Sequence, residues 1–161
     1  MNEAEGQVRE SSGSNGCWEL AEVCHRIVAV APDTSPQDFL RALGQLVAGI
    51  DPGIEGIVDL ARGGSNVVAG GGFKPEFDDG TAGQARHFAG MAASVAMFGA
   101  RATELVAHAF VDSPDTADGR LSAAAVRFAK LIMDGDLPVD QAHLWIVDAL
   151  CLEGDSLRVG R

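Results

Sequence analysis

Basic residues are scarce in this chain. Twelve Lys and Arg face 23 Asp and Glu across 161 residues, for a formal net charge of -11. A general nucleic-acid binder shows a basic patch, and a protein drawn to anionic lipid shows polybasic clusters. Neither is present, so nucleic acid and membrane surfaces are excluded as expected partners. Tyrosine is missing, Lys is rare beside Arg, and Gly reaches 20 residues. Lys and Tyr have AT-rich codons, whereas Gly, Ala and Arg have GC-rich ones. This balance points to a bacterial gene of high GC content.

Long apolar runs are also missing. The longest stretch without Asp, Glu, Lys or Arg runs from His87 to Ala100, 14 residues. A membrane span needs roughly 18–20. The first sixteen residues are polar and acidic, with no apolar core of a secretory leader. Cysteine is sparse, at Cys17, Cys24 and Cys151. The number is odd and there is no Cys-x-x-Cys pair. Cys17 and Cys24 stand two helical turns apart, about 10 Å, too far for a disulfide. Free thiols and a cytoplasmic, reducing location are therefore expected.

Apolar residues make up 47% of the chain, enough for a packed core. Residues 1–16 read as a flexible acidic tail and 153–161 as a frayed end, with one helical domain over 17–152. Helical periodicity runs through Cys17–Ala31, ending before Pro32. Ser35, Pro36 and Asp38 form a helix start, followed by Phe39, Leu40, Leu43, Leu46, Val47 and Ile50 at helical spacing. Asp51-Pro52 opens a short helix that stops at Gly63-Gly64. Residues 63–80 form a Gly-rich loop, long for a compact domain and hence a functional candidate. Val67-Val68 suggests a short extended piece without a partner strand.

Thr81 and Gln84 match a capping box, which places a helix over Ala82–Phe98. That helix is apolar almost all round and rich in Ala and Gly, as a buried central helix is. Its small residues suit close packing in the core or against a second copy in a homodimer. Gly99 breaks it, and a further helix spans Ala100–Val111. Asp115 or Asp118 caps a helix over Leu121–Met133, and Pro138 opens the last. About seven helices and no convincing strand predict an all-α fold, a single-domain orthogonal bundle around helix 82–98.

The most informative segment is Pro75 to Phe88. Glu76, Asp78 and Asp79 end the loop, and Arg86 and His87 follow in the first turns of the most apolar helix. Cations there oppose the helix dipole and need a compensating partner, for which Asp78 and Asp79 are the local candidates. One reading is a salt bridge that pins the loop to the core. The other is a site, with Arg86 and the helix start as anion anchor and His87 as acid/base. In that site Glu76 and Asp79 are the charge partners.

Arg101, Glu104, His108 and Asp112 share a second face, read as a solvated charged face before a metal site. His25 and His143 are lone histidines on helices, read as satisfied or surface groups. EF-hand, P-loop, dinucleotide and Gly-x-Ser-x-Gly patterns are all missing. No cofactor is therefore expected, and no metal ligand is assigned. The expected function is that of a soluble helical binding or accessory protein with a protein or small-molecule partner. The alternative is a small acid/base hydrolase, lyase or isomerase built on Arg86 and His87.

Overall fold

A side chain that takes up the free N–H groups of the first turn favours a helix start. Asn15 does this for α1 (Gly16–Val30), its Oδ1 accepting from the Trp18 N–H at 3.0 Å. Ser35 does it for α2 (Pro36–Ala48), accepting from the Asp38 N–H, with Pro36 in the first turn as expected. A left-handed Gly49 ends α2. The computed structural model from which these features are taken describes residues 15–50, 68–103 and 115–153. Three further α-helices are α3 (Gln84–Phe98), α4 (Ala117–Asp134) and α5 (Ala142–Leu150). Short 3-10 turns cover Pro75–Phe77 and Val139–Gln141. The fold is all-α, as the periodicity predicts. The helix expected after Asp51-Pro52 and most of the one expected over 100–111 lie outside the described residues. Residues 100–103 are helical.

Two helix starts differ from expectation. α4 opens at Ala117 because Thr116, rather than Asp115 or Asp118, accepts from the Gly119 N–H. α3 opens at Gln84, with Gly83 before it and no side-chain cap. The Thr81–Gln84 capping box does not form, because Gln84 turns back to two loop carboxylates.

α3 lies at the centre. Ala85, Phe88, Ala89, Ala92, Ala93 and Ala96 are all buried. Its small residues serve α2: a Cβ added at Gly44 would stand 2.5 Å from the Ala93 Cβ. On the α4 side Phe88 meets Phe128, ring centroids 5.3 Å apart, and Phe128 meets Trp145 of α5 at 5.1 Å. Such tilted aromatic pairs add about 0.5–1.5 kcal/mol each to the burial of their area.

The described part of the glycine-rich segment, residues 68–80, is stitched into the bundle. The Cys17 N–H donates to the Gly71 carbonyl, and the Leu152 N–H to that of Gly72. Phe73 forms an isolated antiparallel bridge with Cys151, and Val67 of the extended piece expected at Val67-Val68 lies outside the described residues. Gly16 is required here, since a Cβ on it would stand 2.5 Å from the Gly70 carbonyl oxygen. Gly72 combines a φ of +85° with a Cβ direction blocked by the Asn15 side chain.

At this junction the structure overturns the free-thiol expectation. Cys17 and Cys151 form a disulfide, with Cα atoms 5.6 Å apart. Antiparallel packing of α1 against α5 brings the two together across 134 residues of sequence. The spacing of Cys17 and Cys24 excludes only the local pair. Cys24 is the free thiol, buried, and burial pushes its pKa up to about 12. Among the described residues no helix is long and apolar enough to cross a membrane.

Candidate functional site

Asp78 and Asp79 follow the 3-10 turn Pro75–Phe77, and each folds the chain back on itself. The Gly80 N–H donates to Asp78 Oδ1 at 2.9 Å. The Thr81 N–H and hydroxyl donate to Asp79 Oδ1 at 2.8 and 2.6 Å. These local turns are what Asp does before a helix start. Gln84 then reaches both carboxylates, its Nε2 donating to Asp79 Oδ1 at 2.7 Å and to Asp78 Oδ1 at 3.2 Å. Gln84 is buried at 2% exposure, while both aspartates are exposed. Its Oε1 is buried and has no hydrogen-bond partner. The carboxylates expected to compensate Arg86 are thus held by their own loop and by Gln84.

Burial raises the Asp79 pKa, but hydrogen bonds from the Thr81 side chain and backbone, and one with Asp118, outweigh it. The net result lies below the usual carboxylate value. Asp79 is therefore ionised at neutral pH.

His87 sits one turn further along α3, its N–H bonded to the Gly83 carbonyl. Its Nε2 lies 2.7 Å from the hydroxyl oxygen of Ser122, a buried residue of α4. Burial lowers the His87 pKa, and the Arg86 charge lowers it further. The charges of Asp118 and Asp79, and a hydrogen bond to the Asp118 backbone, pull the other way without restoring the ordinary value. The imidazole is neutral at pH 7, and a neutral ring can accept or donate at Ser122 according to its tautomer.

The structure thus brings three expected residues, Asp79, Arg86 and His87, within electrostatic reach of one another. Glu76 enters differently: its backbone carbonyl accepts from Arg120 Nε at 2.8 Å, and its side chain is exposed. Arg120 also bonds the Asp115 carbonyl through Nη1, so it ties the 3-10 turn to the start of α4. Three participants were not read from the sequence, namely Gln84 in its tertiary role, Asp118 and Ser122. The last two lie one turn apart on α4, more than thirty residues from His87, so no local motif marks them. Arg101 is exposed, and Glu104, His108 and Asp112 lie outside the described residues. Among the described residues no three His, Cys, Asp or Glu gather as metal ligands.

Chemically, the edge offers two exposed carboxylates on fixed donors and a neutral histidine paired with a serine hydroxyl. Comparisons with protein-family models, curated sequences and solved structures give no match.

Proposed function

We propose that the chain is a bacterial helical binding protein. It engages a protein or small-molecule partner at the acidic edge formed by residues 78–87 and the start of α4. The partner presents a cationic group, an amine or a guanidinium. One observation carries this reading: Asp78 and Asp79 stay exposed while Gly80, Thr81 and Gln84 hold their carboxylates in place. Ordering loose side chains costs about 0.5–1.5 kcal/mol each on binding, and a pre-set carboxylate pair avoids that cost. Carboxylates also form strong charge-assisted hydrogen bonds with such cations. A net charge of -11 favours encounter with a cationic partner and disfavours nucleic acid.

A thermal-shift screen of amines, guanidinium compounds and basic peptides tests the proposal on wild type, Asp78→Asn/Asp79→Asn and His87→Ala. The expected result is a shift in wild type and His87→Ala that disappears in the double Asn variant. No shift with any cationic compound, or a shift retained in the double variant, overturns it.

A second reading rests on the 2.7 Å contact between His87 and Ser122. A neutral histidine beside a hydroxyl is the arrangement that acid/base and nucleophilic chemistry uses. In this reading His87 is the acid/base, Arg86 the anion anchor, and Asp79 and Glu76 the charge partners of a small hydrolase, lyase or isomerase. Turnover of an activated ester that is lost in both His87→Ala and Ser122→Ala supports it. Turnover unchanged in either variant counts against it.

The cytoplasmic location expected from the sequence meets one opposing observation, the Cys17–Cys151 bridge. Structural disulfides persist chiefly in oxidising compartments. Thiol titration of protein trapped directly from cells decides the matter. One reactive thiol after denaturation places the chain in an oxidising compartment, and three place it in the cytoplasm.

A further inference from the structure

The two histidines that read as unrelated surface groups meet in space. His25 of α1 and His143 of α5 have ring centroids 5.0 Å apart, at an interplanar angle of 67°. Their positions follow from the antiparallel packing that forms the disulfide. From the Cys17–Cys151 bridge, eight residues along α1 lead to His25, and eight residues back along α5 lead to His143. At 1.5 Å per residue the second contact lies about 12 Å from the first. The helix pair is thus linked covalently at one end and faced by two imidazoles at the other.

We propose that His25 and His143 form a two-imidazole site for a divalent transition-metal ion of the Zn2+, Ni2+ or Cu2+ class. Imidazole nitrogen is a preferred ligand for these ions, at about 2.0–2.1 Å from zinc. Each ring centroid then stands about 3.2 Å from the ion. Two rings at a tetrahedral angle have centroids about 5 Å apart, which is the separation found here. His25 is exposed and His143 half-buried, so an ion reaches the pair without opening the core. Glu22 and Asp140, each three residues before one of the histidines, are exposed, as is the cation Arg26 beside His25. No third protein ligand joins the pair among the described residues, so water or an outside ligand completes the coordination. A bound ion crosslinks α1 to α5 and stabilises the native fold, because the unfolded chain separates its ligands.

The test uses the full chain with its disulfide intact, stripped of metal with a chelator and titrated with Zn2+ alone. The melting temperature of wild type, His87→Ala and His108→Ala is expected to rise on addition of Zn2+. The rise is lost in His25→Gln and in His143→Gln. No rise in wild type, or an equal rise in either Gln variant, overturns the proposal. A second measurement needs no substitution: substoichiometric Cu2+ broadens the imidazole NMR resonances of His25 and His143 together and before those of His87 and His108. Broadening that spares either His25 or His143 also overturns it.

Discussion

Reducing the Cys17–Cys151 bridge removes one covalent bond and no side chain, so it isolates what the covalent link contributes. The bond closes a loop across 134 residues of sequence. In the chain-entropy account, the loss is about 2.1 plus 1.5R ln n cal/mol/K, which for this loop gives about 17 cal/mol/K, or about 5 kcal/mol at 25 °C. Measured losses for native disulfides run about 2–5 kcal/mol, so 5 is the upper end. For a chain of this size, 5 kcal/mol lowers the melting temperature by roughly 10–20 °C. Urea denaturation of oxidised and reduced wild type measures the difference directly. Native-state hydrogen exchange adds a local readout at the Cys17 and Leu152 amides, which bond Gly71 and Gly72 beside the bridge. Both should lose protection on reduction. Stabilities within about 1 kcal/mol of each other would refute the reasoning. They would mean that the bond is not formed, or that the reduced unfolded chain stays as compact as the crosslinked one.

Three further outcomes follow from the packing. Burial lowers the His87 pKa below its ordinary value, so between that value and the lowered one the unfolded chain binds a proton that the folded chain refuses. Stability therefore falls as pH drops below about 6.5, with a slope of at most about 1.4 kcal/mol per pH unit from this group. His87→Gln should flatten that part of the pH profile in urea melts; an unchanged profile would assign the slope to other groups. Gly16→Ala places a Cβ against the Gly70 carbonyl, and the clash should outweigh the gain in helix propensity, at most ~1 kcal/mol, leaving the variant less stable. A stabilised variant in thermal melts would contradict the close approach. Phe128→Ala empties the centre of the Phe88–Phe128–Trp145 cluster and should cost about 3–5 kcal/mol by urea denaturation, where less than 1 would place Phe128 outside the core.

Helix existence was legible wherever the chain carries its own signals. Ser35, Pro36 and Asp38 announce α2 because capping is a local event within four residues. The apolar, Ala-rich run at 84–98 announces a buried helix because a helix apolar almost all round needs cover on every side. Two starts differ: at α4 the local cap is Thr116, and at α3 a competing partner wins. Gln84 left the capping box because two carboxylates six and five residues upstream offered it charge-assisted bonds. The disulfide, the His25–His143 pair and the His87–Ser122 contact share one reason for being invisible. Each joins residues on, or at the end of, different helices, and helix-to-helix register is set by packing, which a single periodic pattern does not report. Arg86 and His87 could be picked out because cations at the start of an apolar helix break a local electrostatic rule, and Asp79 as a nearby carboxylate to compensate them. Asp118 and Ser122 break no rule in their own helix, so only the fold reveals them.

The central claim is that fixed, exposed carboxylates at Asp78 and Asp79 bind a cationic group of a partner. Isothermal titration of wild type and Asp78→Asn/Asp79→Asn with the best cationic compound from the thermal-shift screen tests it most directly. The account predicts one binding event in wild type, weakened by added salt and lost in the double variant. Equal affinity in the two proteins would contradict it.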